Sequence, residues 1–428
     1  MTGRATLVVT ALALAAAACE TPQDKAVIDA ASPNASIQPA PLATAPEAAD
    51  AGEPGPESAD RGGASDASAG APPEALAPER PVPADTPPAR DVSGVELAAI
   101  WRWRDVPPPP KAPEVNAAGV QEAAKVTALT WSVQLSEPGR MRVTFTSRAL
   151  PLPMFSELRA RADKWGTLLV WPSATEYRVV APGALRTILG ERRADVTPLA
   201  QGSAKPQGEV KKLGVATRKV ELTSPIGSVK LELGKVPEAG DGGPLFCRAL
   251  VELAGVDPRT SVCQPGEVAL SATYAWQDGG GVALEVTHIA KRTDLPADDL
   301  LAPPPAAQFS PSGLPASDGV FLTREELAAF RTAPLVLPPV TDPKVPGEGF
   351  MAVNHGDVPA YLLVDGVPAV AVPPGREQYV IGPPRGRYVV QWRTFLGERV
   401  EAPRTVEMPA RLVTPAAGAP DAGVPDAK

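Results

Sequence analysis

Apolar and polar positions alternate with period two along much of the chain from residue 125 onward, and that spacing predicts strands. In residues 125–135, Thr127, Leu129, Trp131, Val133 and Leu135 fall on one face, while Val126, Ala128, Thr130, Ser132 and Gln134 fall on a more polar one. Glu137-Pro138-Gly139 turns the chain into a second run, where Met141, Val143 and Phe145 alternate with Arg140, Arg142 and Thr144. The two runs read as a hairpin with one apolar face. Trp131, Val133, Met141, Val143 and Phe145 are its candidate ligand-contacting residues if that face lines a cavity; a filled core is the alternative.

Further strands follow the same rule. Residues 166–183 supply two around a turn at Pro172, and a short helix ending at Gly190 comes next. After a Gly/Lys/Pro loop over 202–212, strands 217–222 and 227–233 form a hairpin, and strands 268–276 and 282–289 are joined by Asp278-Gly279-Gly280-Gly281. Ahead of all of these, residues 93–110 predict a short helix, capped by Ser93 and stopped by a proline run. On it, Trp101 and Trp103 read as packing anchors or as an aromatic binding pair. Thr323, followed by Glu326 three residues on and flanked by Leu322 and Leu327, has the form of a capping box with a hydrophobic staple. From Phe350 short strands recur every eight to ten residues, and Asp365-Gly366 suits a hairpin turn.

Composition changes the picture at the ends. Residues 20–93 hold 13 acidic and 4 basic residues with no aromatic side chain, so the segment cannot bury enough surface to offset its ordering entropy. It reads as a disordered acidic tether. The chain's net charge of −8 resides there, which leaves the folded part without a basic footprint for nucleic acid. The first 18 residues combine Arg4, an apolar run from Leu7 to Ala18 and small residues directly before Cys19. That run is shorter than the ~20 residues a spanning helix needs and suits a signal peptide. The arrangement resembles the lipobox of bacterial lipoproteins, departing from it at Ala16, where Leu is commoner. The resemblance implies lipidation of Cys19 and attachment to a membrane, the outer membrane favoured, with the body facing the periplasm or the cell surface.

The expected layout is a signal peptide over 1–18, a tether over 19–93 and an antiparallel β domain with short helices over 94–310. A linker with one helix follows over 311–348, then a small β-sandwich over 349–412 and a disordered tail over 413–428. Residues 120–310, through their strand order and the ending "VALEVTHIAKRTDLPADDLLAPPPAAQF", resemble the periplasmic outer-membrane lipoprotein carriers. That resemblance implies a mainly β (α+β) fold, a curved antiparallel sheet or half-barrel whose concave face is covered by helices and takes an acyl chain. Asp365-Gly366, Pro373-Pro374-Gly375 and the run Gly386-Arg387-Tyr388-Val389-Val390 resemble PEGA-type small β-sandwich modules, which implies a non-catalytic interaction or spacer domain.

No chemistry stands out. His288 and His355 are the only histidines, without the spacing a metal cluster needs, so no metal or cofactor is expected. No G-x-S-x-G occurs, and the Asp298-Asp299 and Glu325-Glu326 pairs suit solvated charge or capping. Cys247 and Cys263 admit a metal site, a redox switch, a catalytic thiol or a staple. With Cys19 lipidated the pair lies in an oxidising compartment without another thiol, and the expectation is a disulfide. Three functions remain: a membrane-anchored binding or scaffolding protein without enzymatic activity, a carrier or sensor of acyl chains or lipoproteins, and, least favoured, an envelope hydrolase. Partners are then the membrane, acyl chains or other envelope proteins.

Overall fold

The structure is a computed structural model that describes residues 91–137, 139–161, 163, 166–171, 176–191, 199–224, 226–260, 262–295, 308–309 and 319–415. Cys19, the expected tether as far as residue 90, the Asp298-Asp299 pair, residues 310–318 and the tail from 416 lie outside the described residues, and residues 92–93 belong to the first strand rather than to the tether. The fold is mainly β, with an open antiparallel sheet, few short helices and smaller additional sheets.

Twelve described strands form the large sheet. In chain order they are β1 (Val92–Trp103), β2 (Leu129–Ser136), β3 (Arg140–Phe145), β4 (Glu157–Arg161), β5 (Gly166–Val170), β6 (Glu176–Val180), β7 (Ala204–Lys212), β8 (Val215–Ser224), β9 (Gly227–Lys235), β10 (Glu267–Trp276), β11 (Gly281–Leu295) and β12 (Gln308–Phe309). Their order across the sheet is β12-β6-β5-β4-β3-β2-β1-β11-β10-β9-β8-β7. Two meanders therefore meet at β1, which pairs with β2 on one side and β11 on the other.

That central place corrects the helix expected over 93–110. Val95, Leu97, Ala99 and Trp101 recur with period two and are all buried on one face. In this stretch the alternation outweighs the helical propensity of Ala98-Ala99, because two neighbouring strands satisfy every backbone group of an extended chain. The loop expected over 202–212 is likewise β7, an edge strand exposed along most of its length.

The helices are α1 (Ala117–Val126), α2 (Ala184–Arg186, continued as a wider turn over Thr187–Glu191), α3 (Gly242–Leu253) and α4 (Arg324–Ala328). α1 starts at Asn116, whose side chain accepts a hydrogen bond from the Gly119 N–H, and occupies residues whose last part was read as strand. α4 has the expected capping box: Thr323 Oγ1 accepts from the Glu326 N–H, and the Glu326 carboxylate accepts from the Thr323 N–H at 2.8 Å.

α3 packs against β10, β3 and β2. Phe246, Leu250 and Leu253 are buried in the large core, and the Tyr274 hydroxyl of β10 donates to the Leu250 carbonyl at 2.7 Å. The first turn of the helix lies against strand backbone. A Cβ on Gly243 would stand 2.0 Å from the Glu267 carbonyl oxygen, so this approach is open to glycine alone.

The C-terminal module has β13 (Phe350–Val353), β14 (Ala360–Val364), β15 (Val367–Val372), β16 (Glu377–Val380), β17 (Gly386–Arg393), β18 (Arg404–Met408) and β19 (Ala410–Val413). They form a four-stranded sheet, β15-β14-β17-β18, and a three-stranded one, β16-β13-β19. Asp365 and Gly366 both have positive φ (49° and 83°) in the β14–β15 turn. The module's core, with Leu362, Tyr388 and Trp392, also takes in Val120 and Ala123 of α1 and Leu327 and Phe330 around α4.

Candidate functional site

A cavity of about 610 Å³ lies between α3 and the β3–β6 part of the sheet, within the range of roughly 300–1,000 Å³ usual for small-molecule sites. Strand register explains where it forms. Leu135 of β2 faces Met141, Met141 faces Ala160, Ala160 faces Thr167, and Thr167 faces Val180, so one row runs across five strands. Its side chains shrink from Leu135 and Met141 to Ala160 and Thr167. Above them α3 presents Leu245, Arg248, Ala249 and Glu252, spaced three and four apart on one helical face. A small residue on the helix stands opposite small residues on the sheet, and the space between remains open.

The walls divide by chemistry. Met141, Ala160, Val180 and Leu185 are buried and apolar, while Val179, Ala181, Pro182, Arg248 and Arg259 are exposed. Arg161 is buried and bound by Asp163, through Nε at 2.9 Å and Nη2 at 2.6 Å. Arg259 is bound by Asp257, with Nη2 donating at 2.5 Å. These contacts hold the Asp163 and Asp257 carboxyls down at about 2.

Glu252 is the buried acid of the site. Its Oε1 accepts from the Leu185 N–H at 2.6 Å, which caps α2 from a neighbouring helix. Burial pushes its carboxyl up to about 7, against the lowering effect of the Leu185 and Gly183 N–H groups, and Asp257 adds to the rise. The folded state therefore holds a proton between an ordinary carboxylate value near 4.5 and about 7, where the unfolded chain has released it. Stability contributed by this group falls as pH rises through that window, by about 3 kcal/mol in all, and is flat outside it. Asp163 and Asp257 slope the other way, but only in stronger acid. Urea denaturation from pH 4.5 to 8 is expected to show the fall, and Glu252→Gln to remove most of it.

Cys247 of α3 and Cys263 are joined in a disulfide, as expected, with Cα atoms 6.1 Å apart. The bond ties the helix that roofs the cavity to the segment leading into β10. A loop of 16 residues contributes about 3 kcal/mol in the chain-entropy model. The double variant Cys247→Ala/Cys263→Ala is expected to lose about that much in urea denaturation.

Of the five residues expected on a ligand-contacting face, Met141 lines the cavity. Trp131, Val133, Val143 and Phe145 belong to the filled core of the same sheet face. Trp131 stacks on Trp101 with ring centroids 5.2 Å apart, and Phe145 meets Trp131 edge-on at 5.1 Å. Trp101 and Trp103 thus pack, with Trp103 Nε1 donating to the Thr394 carbonyl at 3.3 Å. Sequence reasoning missed Arg248, Ala249 and Glu252, which lie between the two disulfide cysteines. His288 is exposed on β11 and His355 is exposed in a loop. Among the described residues, no group of three or more His, Cys, Asp or Glu side chains is placed to hold a metal ion, and no helix is long and apolar enough to cross a membrane.

No family model matches the chain, and no curated protein matches it. Solved structures resemble it in part. MucB in complex with MucA(peri) is 12% identical over 50% of this chain and 56% of that one, with a TM-score of 0.24. The Mycobacterium tuberculosis lipoprotein LppX is 11% identical over 45% of this chain and 84% of its own, with a TM-score of 0.20. A LolA superfamily protein from Nitrosomonas europaea is 10% identical over 50% and 90%, with a TM-score of 0.23. These matches are at low identity and partial coverage, and this chain spans little more than half of the MucB chain. At these scores they are no guide to ligand or partner.

Proposed function

We propose that the protein is a non-catalytic binding protein of the cell envelope that takes an apolar chain into the cavity beneath α3. The observation that supports this reading is the cavity itself: buried apolar walls between α3 and one face of an open sheet, with small residues on both sheet and helix. Arg161, Arg259 and Glu252 are engaged in ion pairing and capping. The Cys19 lipobox and the disulfide suit a protein anchored by lipid in an oxidising compartment, the outer membrane favoured. The C-terminal module, with its PEGA-like wording, would then serve as the surface for envelope partners.

The test is binding of an uncharged fluorescent probe, N-phenyl-naphthylamine, to the full chain. Saturable binding is expected, and Ala249→Trp, which fills the space from the helix side, is expected to weaken it at least tenfold. Because the indole enters open volume, stability should change by less than the ~1–3 kcal/mol of overpacking a closed core. Wild-type protein that binds neither the probe nor aliphatic competitors would leave the scaffolding reading in its place.

A further inference from the structure

The apolar walls do not account for the charges around the cavity. Among the described residues, three guanidinium groups and one carboxyl line it: Arg161, Arg248, Arg259 and Glu252. Asp163 binds Arg161 and Asp257 binds Arg259, each through two oxygens. Glu252, 7% exposed, is turned inward, and its Oε1 receives the Leu185 N–H. Arg248 is different. It sits four residues before Glu252 on the same helical face, is exposed at the rim, and among the described residues has no ion pair or hydrogen bond. An arginine without an anion, at the mouth of a cavity with an apolar floor, is half of an amphiphile site. The other half would be a negative charge at the end of a hydrocarbon chain.

We infer that the cavity selects single-chain amphiphiles with an anionic head group, received by Arg248 at the rim while the chain lies along the row from Met141 to Val180. This rests on the binding reading above. The guanidinium fork offers paired N–H donors, which suits carboxylate and phosphate alike. Hydrogen bonds to a charged group are among the stronger ones, so the anion should gain roughly tenfold or more over a neutral chain of equal length. Arg161 and Arg259 are held by their own aspartates and leave this role to Arg248. Glu252 cannot supply it: a carboxyl in either protonation state offers an anion no positive charge.

The experiment is displacement of N-phenyl-naphthylamine from the full chain by laurate, dodecyl phosphate and dodecanol. At least one anion is expected to displace the probe at a tenfold lower concentration than dodecanol, and the better of the two identifies the head group. Arg248→Gln should abolish that preference while leaving dodecanol unchanged, and Arg248→Lys should retain part of it. Arg248 is exposed and unpartnered, so these variants should fold as the wild type does, which circular dichroism checks. Equal displacement by dodecanol and both anions, or a preference that survives Arg248→Gln, overturns the inference and leaves the binding reading intact. No binding of probe or competitor by the wild type removes both.

Discussion

Asp365→Ala is expected to cost about 3–5 kcal/mol, the range for breaking one partner of a buried ion pair. Arg331 and Asp365 are both fully buried, and Nη1 donates to Oδ2 at 2.6 Å. Arg331 also donates to the Phe330 and Arg387 carbonyls, and its guanidinium lies 3.8 Å from the centre of the Tyr388 ring. Oδ1 of Asp365 accepts from the Val389 N–H at 2.9 Å. One carboxylate thus joins the end of the α4 segment, the β14–β15 turn and β17. Alanine leaves a buried cation and a buried N–H without their acceptor, and it places a Cβ residue without a compensating side chain at φ 49°. Burial pushes the Asp365 carboxyl up despite its arginine, which reflects the desolvation cost of placing charge here. It follows that Arg331→Met/Asp365→Asn, which removes both charges together, should lose clearly less than Asp365→Ala. Urea denaturation of the three proteins checks the order, and a double variant that loses as much as Asp365→Ala or more would refute it.

The legibility of this chain follows sequence distance. The β2–β3 and β10–β11 hairpins, the Thr323 capping box, the Asp365-Gly366 turn and the Cys247–Cys263 bond all lie within short segments whose pattern is local. β1 was less legible because its Ala and Glu residues favour a helix, while the partners that make it a strand lie far along the chain at β2 and β11. The cavity was hidden for the same reason. Ala160 and Thr167 matter because strand register sets them in one row with Met141, and Ala249 matters because α3 stands over that row. The spacing of Leu245, Arg248, Ala249 and Glu252 puts them on one helical face, but the strands that face meets are set by register far along the chain. Apolar alternation alone likewise cannot separate a filled core from a lined cavity, and this sheet has both: Val133 and Val143 in the one, Met141 and Val180 at the other.

Phe395→Ala is expected to cost about 3–5 kcal/mol and to split a single unfolding transition into two. Phe395 lies in the loop between β17 and β18 and is fully buried. It stacks on Trp101 of the central strand at 5.6 Å and 7°, and meets Tyr361 of the module at 6.0 Å. Around it the loop is tied to the large sheet: Trp276 Nε1 donates to the Leu396 carbonyl at 2.6 Å, the Gly281 N–H to the Gly397 carbonyl at 2.8 Å, and Arg186 pairs with Glu398 at 2.5 Å. A Cβ on Gly397 would stand 2.3 Å from the Gly281 carbonyl oxygen, so the backbones meet closely at this point. Phe395 and Leu396 belong to the same buried cluster as the sheet's core, so the module folds onto the sheet through a shared hydrophobic column. Removing the ring leaves a void in that column and forfeits its aromatic pairs. Calorimetry should then resolve the module melting apart from the sheet, and one cooperative transition with a loss under about 1 kcal/mol would refute the coupling. None of the loop residues lines the cavity under α3. Probe binding by Phe395→Ala should therefore persist at temperatures where the sheet is still folded, which separates the module's attachment from the site itself.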